Sequence, residues 1–265
     1  MDLRARIAAT YTAAADTLDS LPFWHHFGRR SVERLGLGRG ARVLDLCCGS
    51  GASALPAAEA VGPAGTVLGV DLTNALVAQA RDKAAARGFP HAAFRCAPVE
   101  SLAFPPGSFD AIVSVFGLFF IEDMAGLLAR AWEWLARGGA LAITTWGEDV
   151  LAPGEALFWE AVLAEDASLQ TPSHAARLDT PEKLARVFQE AGLPPPQIAR
   201  ESWEMPLDSP ESFWPVIMGT SNRAAYEALP PDARERVRVR VIDTLRAQRV
   251  TAMRMEVLYA LARRG

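Results

Sequence analysis

The stretch Ala41-Arg42-Val43-Leu44-Asp45-Leu46-Cys47-Cys48-Gly49-Ser50-Gly51 decides how this chain is read. Val43, Leu44 and Leu46 are the apolar residues of a short buried strand. Gly49 and Gly51 make a tight turn, and residues 52–60 have helical composition. A strand, a glycine turn and a helix start bring backbone N–H groups and the positive end of a helix dipole to one point. In an α/β sheet that point holds a nucleotide-like cofactor. Asp45, at the end of the strand, separates two possible cofactors.

Outward from this stretch the chain alternates strand and helix. Residues 66–70 read as a second strand ending at Asp71, and 74–87 as a helix closed by Gly88. Residues 92–96 read as a third strand. The apolar, β-branched run 109–116 reads as a central fourth strand. A helix over 124–136, closed by Gly138-Gly139, leads to a fifth strand over 140–146. Strands alternating with helices predict a parallel sheet with helices on both faces. After Trp146 the rhythm changes. Thr180-Pro181 starts a helix that stops at Gly192, residues 197–205 alternate as a strand, and 206–249 are helical, with Val237, Val241 and Leu245 on one stripe. Residues 250–261 close the pattern as a last strand. Before the sheet, 3–18 and 23–35 read as helices.

The expectation is therefore an α/β, Rossmann-like, seven-stranded and mostly parallel sheet. The 265 residues would form a single domain: an N-terminal helical cover (1–36), a cofactor-binding core (37–205 and 250–265) and a helical cap insertion (206–249). Half of the residues are apolar, enough for a sizeable core, and the formal net charge of −4 gives no support to nucleic-acid binding. Three cysteines, two of them adjacent, make neither a disulfide framework nor a zinc pattern. Reduced thiols, a cytoplasmic location and no secretory leader are expected. The longest apolar run, 111–121, is far short of the roughly 20 residues that span a bilayer.

Residues 49–54 also fit the dinucleotide fingerprint G-x-G-x-x-[GA], with Asp71 at the distance of its ribose acid. Alone that suggests NAD and an oxidoreductase. Asp45 points the other way. An acid just before the glycine turn crowds a pyrophosphate with negative charge, and it suits a cofactor carrying an ammonium and a sulfonium.

Residues 43–51 resemble the first motif of class I S-adenosylmethionine-dependent methyltransferases. Residues 67–72 resemble the second motif, 108–114 the fourth-strand motif, and 135–141 the "L-x-P-G-G" turn into the fifth strand. The closest likeness is to small-molecule members similar to ubiquinone/menaquinone-biosynthesis methyltransferases. The resemblance implies that Asp45 and the backbone of Cys47, Gly49, Ser50 and Gly51 face the methionine part of S-adenosylmethionine. It implies that Asp71 accepts the ribose hydroxyls, Leu72 lies against the adenine, the Ala97 N–H meets the adenine ring, the Ser114 carbonyl receives the ammonium, and Tyr11 closes over the cofactor. Two positions depart from the family pattern: Cys47 replaces the first glycine, and Cys96 replaces the acid after the third strand.

The implied function is methyl transfer to a small, apolar or aromatic molecule, on oxygen or carbon, with S-adenosylhomocysteine as product. No metal is needed. His26 is the preferred base, with His25, Tyr11 and Tyr226 as alternatives, and a phenolate or enolate acceptor needs none. Phe119, Phe120, Phe158, Trp159, Phe213, Trp214 and Met218 are candidate pocket lining. A binding protein that no longer transfers methyl is the second reading, and an NAD-dependent oxidoreductase the third. A monomer or homodimer, with no nucleic-acid partner and no membrane span, is expected.

Overall fold

The computed structural model describes residues 3–170 and 173–265. In chain order it contains α1 (Leu3–Asp19), α2 (Pro22–Leu35), β1 (Arg42–Leu46), α3 (Ala54–Val61), β2 (Thr66–Asp71), α4 (Asn74–Ala86), β3 (Ala92–Cys96), β4 (Phe109–Val115), α5 (Met124–Trp134), β5 (Leu135–Trp146), α6 (Gly154–Glu165), α7 (Pro181–Glu190), β6 (Gln197–Pro206), α8 (Trp214–Met218), α9 (Asn222–Ala228), α10 (Pro231–Ala247) and β7 (Ala252–Arg263). Among the described residues the strands form one seven-stranded sheet in the order β3-β2-β1-β4-β5-β7-β6. The pairs β2–β3, β1–β2, β1–β4 and β4–β5 are parallel, and β7 runs antiparallel to β5. This is the expected fold.

The sheet is central because its middle strands are apolar on both faces. Val43, Leu44, Ile112, Val113, Leu141 and Ile143 are all fully buried. The opposite, N-terminal edge is tied by charge. Arg42 donates its backbone N–H to Asp110 (2.8 Å), and its guanidinium grips both oxygens of the same carboxylate (3.1 and 2.8 Å). The acid of the fourth-strand motif is therefore structural, and the Arg42 guanidinium holds it below its ordinary range.

The last strand runs two residues later than expected, Ala252–Arg263, and two boundaries near the glycine turn and β5 also differ. The helix after β1 starts at Ala54, because the chain needs residues 47–53 to turn, with Gly51 at φ +92°. β5 starts at Leu135, which pairs with Phe109 ahead of an irregularity that Gly138 (φ +78°) absorbs, so α5 stops at Trp134.

The chain forms two compact units whose limits cross the expected boundaries. The sheet unit holds Pro22–Trp146, His174–Arg200 and Val257–Gly265. α2 thus belongs to it, while α1 does not. In this unit α2 packs on β4, β5 and α3 through Phe23, Phe27, Gly28, Ser31, Val32 and Leu35. The helical unit holds Met1–Leu21, Gly147–Ser173 and Glu201–Glu256, as described over residues 3–21, 147–170, 173 and 201–256. Within it α10 lies on α6 and buries the expected stripe of Val237, Val241 and Leu245. Phe158 and Phe213 are fully buried there as ordinary core, so these two expected pocket residues are packing. Arg236 ties α10 to α6 through Glu165 (2.6 Å). Among the described residues, no helix is long and apolar enough to cross a membrane.

Candidate active site

The site is built at the C-terminal ends of β1, β2 and β4. After Leu46 the chain must leave the sheet sharply, and Cys47 does so in the left-handed region at φ +61°. That explains why a glycine suits this position and why a cysteine stands there at some cost. Cys48 keeps pairing with β2 through its N–H to the Val70 carbonyl (3.0 Å). Gly49 follows at φ +52°, and a β-carbon built on it would meet nothing within 4 Å. The turn therefore presents bare backbone to open space, as a ligand held by the main chain requires.

Two carboxylates flank this turn. Asp45 is completely buried. Its Oδ2 accepts from the Ser53 hydroxyl at 2.6 Å, while Oδ1 has no partner. Burial, with Asp71 adding like charge, pushes its pKa to about 7, against the pull of the Ser53 bond. Asp71, half-buried, accepts from the Gly49 N–H (2.9 Å) through Oδ2 and from the Thr73 N–H (2.8 Å) through Oδ1. Burial raises its pKa as well. A buried acid with a free oxygen calls for a cation. Burial also pushes the Cys47 and Cys48 thiols well above their ordinary range, so both are neutral fillers.

The other expected residues fall as follows. Ser50 is buried in the turn, and Leu72 is half-buried directly after Asp71. Ser114 is buried near the end of β4, and its hydroxyl has no partner. Its Oγ lies 3.3 Å from where a β-carbon on Gly117 would stand. Ala97 needs a correction. Its N–H already donates to the Asp71 carbonyl (2.9 Å), extending the β2–β3 ladder, and is not available to an adenine ring. Cys96 is exposed beside Asp71 in register and donates its thiol to the Leu72 carbonyl (3.5 Å).

His26 is half-buried, with its ring edge-on to that of Phe27 at 4.9 Å. At 3.6 residues per turn, Trp24, Phe27, Gly28 and Ser31 share the α2 face that meets the sheet, and His26 falls on the other face. His25 is exposed. Tyr11 lies on α1 and Tyr226 on α9, both in the helical unit, where Tyr226 meets the Trp214 ring edge-on at 4.8 Å.

An aromatic group lies beside the turn. Phe116 leaves β4 in the left-handed region (φ +54°) and stacks on Trp146 at the end of β5, 3.9 Å between centroids and 13° between planes. Trp24 stands edge-on to both, at 5.5 and 5.8 Å, and Phe27 at 5.8 and 6.0 Å. α2 crosses the turn so closely that a β-carbon on Gly28 would lie 2.3 Å from the Ala52 carbonyl oxygen. The Trp24 indole N–H is buried with no partner. This group was not read from the sequence. Its signals were Trp24 and Phe27 on one helix face and an aromatic closing each of two adjacent strands.

The sheet order, with β7 antiparallel to β5, and the paired acids at the glycine turn both match the class I pattern. Residues 43–139 match the family model described as "Methyltransferase domain". The chain belongs to the class I S-adenosylmethionine-dependent methyltransferases. It is 28% identical over 254 residues to nocamycin O-methyltransferase of Saccharothrix syringae, covering 91% of this chain and 89% of that protein. It is 34% identical over 144 residues to aklanonic acid methyltransferase DauC of Streptomyces sp. (strain C5), covering 54% of this chain and 66% of that one. Among solved structures, YcgJ of Bacillus subtilis aligns with a TM-score of 0.59 at 20% identity, over 91% of this chain and all of that one, a likeness of fold. The cofactor of this methyltransferase is S-adenosylmethionine. The residues present fit it: the partnerless Asp45 Oδ1 suits its cationic part, and the open side of Gly49 admits it. The dinucleotide reading of residues 49–54 falls with this assignment.

Proposed function

We propose that this methyltransferase transfers a methyl group to oxygen or carbon of a small, apolar or aromatic acceptor. The aromatic wall of Trp24, Phe116 and Trp146 beside the glycine turn carries this reading. An apolar wall with a buried, unpartnered donor, the Trp24 N–H, favours a flat molecule that offers an oxygen. The names of the relatives, which specify aklanonic acid and nocamycin, support a small-molecule acceptor.

In this reading Asp45 Oδ1 faces the cationic methionine part, and Asp71 uses its remaining lone pairs for the ribose hydroxyls. Leu72 lies against the adenine, and the Ser114 carbonyl receives the ammonium. Held by these residues, S-adenosylmethionine would supply an activated methyl group on a cationic sulfur, with S-adenosylhomocysteine as the product. The protein's part is to align acceptor and methyl and to exclude water. Trp24, half-buried, would do this with Phe116 and Trp146 packed behind it as a dry, rigid backing. No histidine serves as base in this reading; an acceptor that reaches the site as phenolate or enolate needs none.

The test is calorimetry with S-adenosylmethionine, S-adenosylhomocysteine and NAD, followed by transfer of labelled methyl to a panel of phenolic, quinol and hydrophilic carboxylic acceptors. Binding of both adenosyl compounds and label on a phenol or quinol is the expected result. Turnover of hydrophilic acids alone would overturn the apolar acceptor. Cofactor binding without any transfer would favour a protein that binds S-adenosylmethionine for another purpose.

A further inference from the structure

The turn that follows β4 is held from outside by one side chain. Arg177 donates through Nη1 to the carbonyls of Phe119 (2.9 Å) and Ile121 (2.7 Å), and through Nη2 to the carbonyl of Glu122 (3.0 Å). Within the turn there are short-range 3-10 bonds: the Phe120 N–H to the Gly117 carbonyl (3.1 Å) and the Ile121 N–H to the Leu118 carbonyl (3.0 Å). Regular structure resumes at Asp123, which caps α5 by accepting from the Gly126 N–H (2.8 Å). Arg177 is itself anchored. It ends the short turn Ala175–Arg177, and Lys183 on α7 holds that turn through the Ala176 carbonyl (2.9 Å) and Asp179 (2.6 Å).

This turn begins with Phe116 and Gly117. Phe116 is kept in a left-handed conformation and stacked on Trp146, and Gly117 lies against Cys47. A residue in that backbone region stays there only when its surroundings over-determine it. A planar guanidinium with several fixed donors can hold three carbonyls of one turn at once, and an ammonium cannot match that geometry. We propose that Arg177 is a positioning residue for the methyl acceptor: by gripping the carbonyls of 119, 121 and 122 it holds Phe116 flat against Trp146 as the wall on which an aromatic acceptor lies. The assignment of that wall to the acceptor rests on the function proposed above. Arg177 touches neither Asp45, Asp71 nor the 47–51 backbone through these bonds, and its contacts lie at residues 119–122, farther along the turn than the Gly117 contact with Cys47, so its effect falls first on the acceptor side.

The experiment compares the full-length protein with Arg177→Lys and Arg177→Gln. Hydrogen exchange by mass spectrometry follows residues 116–122 against 42–54, and calorimetry follows S-adenosylhomocysteine affinity. With S-adenosylhomocysteine bound, quenching of tryptophan fluorescence follows affinity for alizarin, a flat phenolic probe. Faster exchange confined to 116–122 is expected, with cofactor affinity unchanged and alizarin affinity lowered about tenfold, less in Arg177→Lys than in Arg177→Gln. Unchanged exchange in 116–122 would overturn the proposal. So would equal acceleration in 42–54 with loss of the cofactor, since that is general destabilisation. If the unmodified protein fails to bind alizarin while exchange in 116–122 still responds to Arg177, the aromatic-acceptor reading fails and the clamp on the turn stands.

Discussion

Gly117 stands so close to Cys47 that a β-carbon on it would lie 2.3 Å from the Cys47 β-carbon and 2.9 Å from its sulfur. The first-motif cysteine is therefore tolerated only because its neighbour across the turn has no side chain. Two residues far apart in the chain form one steric unit, and the predictions begin there.

Gly117→Ala should destabilise the protein by about 1–3 kcal/mol and weaken cofactor binding, because backbone or Cys47 must shift. Cys47→Gly removes the obstructing side chain and suits a left-handed φ. The double variant should recover most of the loss, giving a positive coupling in a double-mutant cycle read by thermal melting. Additive losses would show that the contact is not the cause.

Asp45 makes cofactor affinity depend on pH. Its carboxyl titrates near pH 7 in the cofactor-free protein, so below that pH it is increasingly protonated and loses its attraction for a cation. Affinity for S-adenosylmethionine should fall by up to about tenfold per unit as pH drops below 7, and Asp45→Asn should flatten the profile while binding weakly throughout. Calorimetry between pH 5.5 and about 8.5 reads this directly.

The same group sets a stability slope of unusual sign. Between its ordinary value of 3.8 and about 7 the native state holds a proton that the unfolded chain has lost. Stability contributed by this group is therefore present at low pH and is lost as pH rises through that window. Removing the charge should gain a few kcal/mol at pH above 7, seen as a melting temperature several degrees higher for cofactor-free Asp45→Asn, with the difference shrinking toward pH 4. An equal gain at all pH values would mean that ionisation is not responsible.

Asp71→Asn keeps the side-chain shape but halves its accepting capacity. Its two oxygens already hold the N–H groups of Gly49 and Thr73, so the amide leaves one of them facing a donor. Loss of S-adenosylmethionine affinity by at least about tenfold is expected, together with about 1–3 kcal/mol of stability. Calorimetry and urea unfolding separate the two effects.

Trp24 offers a test of acceptor recognition. Trp24→Phe removes the indole N–H but retains an aromatic edge toward Phe116 and Trp146. If that N–H meets an acceptor oxygen, KM for oxygen-bearing acceptors should rise about fivefold to tenfold with cofactor affinity unchanged. An unchanged KM would place the indole N–H outside the acceptor's reach.

The sheet was legible because its strands are apolar runs that end on recognisable residues. β2 stops at Asp71, β3 at Cys96, and β1 at the turn after Leu46, each within a residue of expectation. The paired acids and the bare turn were legible for the same reason, being consecutive in sequence. What escaped was long-range. Ala97 carries no side-chain signal of where its N–H goes, and the ladder to β2 takes it. The sequence does not say which side of α2 faces the sheet, and so not which side carries His26. Phe116, Trp24 and Trp146 come from three separate elements. Arg177 acts on backbone carbonyls, which no residue pattern records.

The order β5-β7-β6 has a consequence for how the protein comes into being. β6 has its sheet neighbour in β7, and β7 is not synthesised until residues 252–263. While the chain is still growing, the residues that form the cofactor turn, Asp71 and β4 are already made, yet the β5 flank of the sheet lacks its final neighbour. The half that recognises the cofactor can therefore take shape during translation, whereas the outer strands must wait and then enter the sheet together. A newborn chain would carry β5, apolar and paired with β4 on one side, with its other edge open for that interval, the period in which association with another chain competes with folding.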